Sequence, residues 1–205
     1  MTAEGTLAAV AGQVRACTQC KLHQSRKNAV PGEGPPDAEI LFIGEGPGFH
    51  ENEQGRPFVG AAGKFLEELL ATIGLRREQV FICNVVKCRP PGNRDPLPEE
   101  IEACAAYLDQ QLQAVNPKLV VTLGRFSMAR YFPGAKISEV HGKPRPVEGR
   151  LVVPMYHPAA ALHQPSLRRI VEQDFARIPA HLEQASRLAP AEDKPGEAPE
   201  QLSLF

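Results

Sequence analysis

Ala38-Glu39-Ile40-Leu41-Phe42-Ile43-Gly44-Glu45-Gly46-Pro47-Gly48 decides how this chain is read. Four large apolar residues, Ile40 to Ile43, run without a polar break and end in a loop of glycine and proline. An uninterrupted apolar run of this length fits a strand buried on both faces. Glycines directly after it let the backbone approach a ligand closely. Working outward, Val80 to Lys87, Leu119 to Leu123 and Leu151 to Met155 give three more apolar strands. Helices are predicted over residues 5–16, over Ala61 to Ile73 with Gly74 as the stop, over Pro98 to Leu112, over Arg125 to Tyr131, and from a Ser166 cap to Ala185. Strands that alternate with helices predict a three-layer α/β/α fold around a central, mostly parallel four-stranded sheet. In such sheets ligands bind beyond the carboxyl ends of the strands. The polar loops 45–48, 88–94 and 156–161 all fall on that edge.

The chain has 205 residues, 42% of them hydrophobic, and a formal net charge of −1. That suits one domain, 1–186, followed by a tail, 187–205. No apolar run approaches the ~20 residues of a membrane span. Overall charge gives no sign of nucleic-acid binding, so any such affinity must come from local patches. Lys87-Cys88-Arg89 with Arg94, Lys143-Pro144-Arg145, and Arg168-Arg169 are the candidates. Twenty prolines and a basic set rich in arginine are features expected of a heat-adapted protein. From Ala189 the chain turns rich in Pro, Ala and Glu, the composition of a disordered linker. It closes on Gln201-Leu202-Ser203-Leu204-Phe205, an apolar end with nothing of its own to pack on, which suggests a docking peptide.

Cys17-x-x-Cys20 forms a close pair near the N-terminus, and Cys88 and Cys104 follow about seventy residues later. Cys83, in the run Val80-Phe81-Ile82-Cys83, reads as a buried structural thiol. Met1 to Val10 holds Glu4 and no basic run, so no secretory leader and a cytoplasmic location are expected. Thiols are then reduced, and a Cys-x-x-Cys pair favours metal over disulfide. Four thiolates suffice for a structural zinc or a four-iron cluster. The fifteen-residue gap before Cys104 favours the larger group, because its two thiols come from different elements.

Three further residues stand out. Phe58 lies just before the helix that starts at Ala61, and its alternative is a place in the core. Asn84 sits inside an apolar strand, where an unpartnered amide costs ~1–3 kcal/mol. His157 ends the fourth strand beside the predicted cleft, where it is able to donate to an anion.

Taken together, Gly44-Glu45-Gly46-Pro47-Gly48, Asn84 with Lys87-Cys88-Arg89-Pro90-Pro91, His157-Pro158-Ala159 and the four cysteines resemble the family 4 uracil-DNA glycosylases. These are the iron–sulfur members of the uracil-DNA glycosylase superfamily, and the resemblance spans about residues 15–180. It implies a [4Fe-4S] cluster on Cys17, Cys20, Cys88 and Cys104. It also implies a uracil pocket built from Gly44, Glu45, Gly46, Phe58, Asn84 and His157. The implied activity flips uracil out of DNA and hydrolyses the N-glycosidic bond. Free uracil and an abasic site result. Arg89 and Arg94 would meet the DNA backbone. Ala160 and Leu162 lie in a segment similar to the family's DNA-inserting loop. The C-terminal pentapeptide is similar to those by which bacterial proteins bind the replication sliding clamp. A monomer is expected.

Two positions depart from the better-known relatives. Where those carry an aspartate in the first loop, Gly46 stands here, leaving Glu45 to activate or position the water and Glu51 as a weaker candidate. Where they carry a bulky residue against the thymine methyl, Gly48 stands. Two other readings compete with the glycosylase: a non-catalytic module of the same fold that binds nucleic acid or a clamp, and a glycosylase for other deaminated bases.

Overall fold

The computed structural model describes residues 2–188. The terminal peptide Gln201 to Phe205, and the tail from residue 189 on, lie outside the described residues. Five strands form one sheet: β1 (Ile40–Gly44), β2 (Phe81–Asn84), β3 (Leu119–Leu123), β4 (Arg145–Val147) and β5 (Arg150–Met155). Their order is β2-β1-β3-β5-β4. β1, β2, β3 and β5 are parallel, and β4 pairs antiparallel with β5. The expected three-layer α/β/α architecture is present, with a fifth strand added. β4 escaped the sequence reading because Arg145-Pro146-Val147 is short, mostly exposed and lacks apolar alternation. Glu148 and Gly149, both at positive φ, turn it into β5.

Successive side chains of each strand point to opposite faces, so a wholly apolar strand feeds two cores. Leu41 and Ile43 pack with Cys83, Val120 and Val152 under α1 (Ala3–Ala16) and α4 (Pro98–Val115). On the other face, Phe42, Ile82, Val121 and Val153 meet Leu66 and Leu70 of α3 (Ala61–Thr72). Further cover on that face comes from α8 (Pro165–Phe175) and α9 (Ile178–Ser186). These two helices replace the single predicted helix of 166–185. α8 gives way at Ala176 and Arg177, and Pro179 sits in the first turn of α9, where its missing N–H costs nothing. Short helices α2 (Phe49–Gln54), α5 (Arg125–Ala129), α6 (Ile137–Val140) and α7 (Pro158–His163) complete the set.

The strand predicted over Val80 to Lys87 ends at Asn84. Residues 85–88 bend away, yet Val85 N–H still donates to Gly44 O (3.0 Å) and Val86 N–H to Glu45 O (3.1 Å). At the outer side of β2, Glu33 exchanges two backbone hydrogen bonds with Ile82, of 2.9 and 2.8 Å. Gly34 makes that approach possible: at φ 143°, a Cβ there would lie 2.4 Å from Val80 O. Among the described residues no helix is long and apolar enough to cross a membrane.

Phe42 is fully buried, with its ring stacked on Phe175 at 6.0 Å. Phe42→Ala is expected to lower the unfolding free energy by about 3–5 kcal/mol, read from the denaturant midpoint at unchanged slope.

Candidate active site

The sheet order reverses between β1 and β3, and a cleft of about 380 Å³ opens where the strands end. Its walls include Glu45, Gly46, Gly48, Phe58, Asn84 and His157. Five of the six pocket residues predicted from sequence line this one cavity, and the sixth, Gly44, lies behind it against Asn84 and Phe58.

Gly44 faces Asn84 in the parallel register. A Cβ on Gly44 would lie 2.3 Å from Asn84 Oδ1 and 2.7 Å from the Phe58 ring. Only glycine lets the two side chains share that space. Asn84 is 2% exposed, and its Oδ1 has no hydrogen-bond partner among the described residues. A buried acceptor left alone in this way is satisfied when a ligand brings a donor.

Phe58 holds φ at 51°, a left-handed conformation that is rare for a bulky residue. The surroundings enforce it. Arg77 donates from Nη1 to Phe58 O (2.6 Å) and from Nη2 to Pro57 O, and is itself anchored on Glu33. Gly63 allows the same turn, since a Cβ there would collide with Phe58 O at 1.9 Å. The ring lines the cleft beside His157, with centroids 5.5 Å apart and planes 24° apart.

His157 caps α7: its Nδ1 accepts the Ala159 N–H at 3.1 Å. That bond leaves Nε2 to carry the proton in the neutral ring. Burial holds the imidazole's pKa down to about 4, although Glu51 pulls the other way. At neutral pH the side chain is thus an uncharged N–H donor. Gly124, at φ 92° at the end of β3, leaves room for it: a Cβ there would lie 3.3 Å from His157 Cβ.

Two carboxylates line the cleft and differ in their bonding. Glu51 accepts the N–H groups of Gly48 (3.1 Å), Val59 (2.8 Å) and Gly60 (2.9 Å). It joins the first loop to the segment carrying Phe58, and it takes the space beside Gly48, where a Cβ would meet Glu51 Oε2 at 2.8 Å. Glu45 has no such ties. Burial pushes its carboxyl upward and Asp95 adds to this, while Arg125 opposes it.

The basic turn divides in the structure. Lys87 is 1% exposed and cannot meet a polyanion. Its Nζ donates instead to Asn84 O (2.8 Å) and Gln111 Oε1 (2.7 Å). The Arg94 guanidinium lies on the cleft wall and is bidentate to Glu100. Arg89 sits at the rim, its Nε donating to Asn93 Oδ1 at 2.7 Å. Leu162, on α7, points outward and is 41% exposed, whereas Ala161 is buried and Ala160 half-buried. The sequence reading missed Asn93, a cleft-lining amide; its place three residues after Pro90 in a forced turn was the available signal.

Cys17, Cys20, Cys88 and Cys104 line a second, smaller cavity with Arg26 and Tyr107. All four thiols are free. No three Cys, His, Asp or Glu side chains among the described residues converge tightly enough to hold a single metal ion. Arg26 donates from Nη1 to Cys88 Sγ (3.1 Å). Such an N–H donor stabilises a thiolate once it is formed. Burial otherwise pushes the Cys104 thiol up to about 11.

Residues 31–182 match the family model of the uracil DNA glycosylase superfamily. The chain is 53% identical over 176 residues to a type-4 uracil-DNA glycosylase of Sulfurisphaera tokodaii, covering 81% of this chain and 80% of that one. It is 46% identical over 181 residues to the type-4 enzyme of Thermotoga maritima, covering 86% and 94%. A type-5 uracil-DNA glycosylase of Thermus thermophilus is 40% identical over 114 residues, 48% of this chain and 52% of that one.

His157 titrates near 6.5 in an unfolded chain and about 4 in the fold. Between these values the unfolded state binds more protons, so this contribution is full above pH ~6.5 and is lost as pH falls toward ~4. Wild type is therefore expected to lose more stability than His157→Asn between about pH 7 and pH 5. Unfolding midpoints at the two pH values check this.

Proposed function

This chain belongs to the uracil DNA glycosylase superfamily and, within it, to the type-4 enzymes, and from the cleft we propose how it releases uracil from DNA. Asn84 Oδ1, left without a hydrogen-bond partner among the described residues, is the observation that carries the assignment. Uracil offers an N3–H donor beside an O4 acceptor, and one amide answers both. Cytosine presents the reverse pattern and leaves both groups opposed. Phe58 stacks on the extruded ring. Cleavage leaves negative charge on uracil and positive charge on the sugar. The neutral His157, donating from Nε2, meets the developing charge at O2 without itself having to ionise.

Glu45 is the residue that places the attacking water. Among the described residues no backbone amide engages its carboxylate, in contrast to Glu51, whose three N–H bonds commit it to holding the loops. Glu51 also bounds the cleft beside Gly48, on the side where related enzymes carry a bulkier residue. Glu45→Gln is expected to slow single-turnover release of uracil by about 10²–10⁴-fold, with binding of the oligonucleotide nearly unchanged. Full activity in that variant would remove Glu45 from the mechanism. Parallel oligonucleotides carrying hypoxanthine or thymine opposite guanine test the base preference.

The four cysteines fit a [4Fe-4S] cluster. When bound, it supplies a covalent tie between the N-terminal segment, the exit of β2 and α4, and no step of the reaction is routed through it. Cys88→Ser and Cys104→Ser are each expected to lose the brown visible absorption and about four irons per chain, together with a lower melting temperature. The peptide Gln201 to Phe205 completes this reading as a docking segment for a sliding clamp, with an apolar anchor seated in a groove.

A further inference from the structure

Gly48 lines the cleft, and Phe49, the next residue, opens α2 just outside it and is 52% exposed. A ring left half in water forgoes the stabilisation that burial would bring. The Arg89 guanidinium lies 5.2 Å from its centroid. Arg89 is oriented by Asn93 Oδ1, and both Asn93 and Pro90, the residue next to Arg89, line the same cleft. Arg94, five residues on, is neutralised by Glu100. Arg89 has no carboxylate partner among the described residues. An exposed aromatic face and an uncompensated guanidinium, held together at the mouth of a cavity, match the two halves of a nucleotide. The base has a π-face for the ring, and the phosphate has charge for the arginine.

We propose that Phe49 and Arg89 form a second nucleotide subsite, with Phe49 stacking on the base next to the extruded uracil and Arg89 holding the phosphate between the two. This rests on the reading of the cleft as the uracil site. Extruding one nucleotide uncovers a face of its neighbour. A ring one residue outward from the cleft wall is placed to cover that face, and so recovers part of the stacking lost on extrusion.

The test is a binding cycle with the full chain carrying its cluster. One oligonucleotide holds a non-hydrolysable deoxyuridine analogue between intact bases. A second holds the same analogue between abasic sites. Phe49→Ala is expected to weaken binding of the first about five- to a hundredfold and to leave the second unchanged, and Phe49→Trp restores the first. Arg89→Ala is expected to reduce the slope of log affinity against log salt by about one. Equal losses on both oligonucleotides, or no loss on either, would overturn the stacking role. Wild type that cleaves uracil-DNA while Phe49→Ala binds and cleaves identically sinks the subsite alone. Wild type that releases no uracil overturns the reading of the cleft and the subsite with it.

Discussion

Between the ends of two parallel strands, Gly44 and Asn84 leave no space for a methyl group. The rest of the cleft is arranged around that contact. The Phe58 ring enters from the side only because Gly44 lacks a Cβ, and it stays there because Arg77 grips the carbonyls of Pro57 and Phe58. Arg77 leans on Glu33, whose backbone pairs with the strand that carries Asn84. The Glu51 carboxylate closes the circuit by tying Gly48 to Val59 and Gly60. An amide, a ring and an imidazole from three separate segments are thus fixed against one another before any ligand arrives. Electrostatic catalysis depends on this kind of preorganisation, because donors already in place need not reorganise as charge develops.

The thiol cavity and the cleft share one short stretch of chain, Asn84 to Cys88. Lys87 sits wholly inside it. Its Nζ bonds to the Asn84 carbonyl and to Gln111 Oε1, while the next residue, Cys88, lines the thiol cavity. Burial pushes the Lys87 amine's pKa down, and the oxygens of Asn84 and Gln111 satisfy its Nζ in that closed space. The basic turn is thereby split by function: Lys87 faces inward, Arg94 is paired, and Arg89 alone is left at the rim.

Much of this was legible in the sequence because the signals were local. Four apolar runs, the glycines after the first, and an asparagine in the middle of an apolar strand all carry a direct physical meaning. The cysteine pairs did as well. Tertiary arrangement hid the remainder. Lys87 reads as a surface cation until Gln111, twenty-four residues away, is seen to accept from it. Glu51 reads as a free acid until three amides from two loops are found on its oxygens. The tautomer of His157 depends on a cap bond that its spacing alone does not reveal. β4 was missed because its stabilising partner is the strand beside it and not a pattern of its own.

Both margins of the sheet are blunted. Along β2, the Glu33 bridge occupies the hydrogen-bonding groups of Ile82, with the backbone at Gly34 pressed against Val80. Along the opposite margin, β4 is three residues long, and Pro146 at its centre has no N–H to offer. A long, unpaired edge would serve as a template for further strands of the same sequence. Here a second copy meets a closed bridge on one flank and a proline on the other, so the sheet that supports the cleft is poorly suited to growing into a fibril.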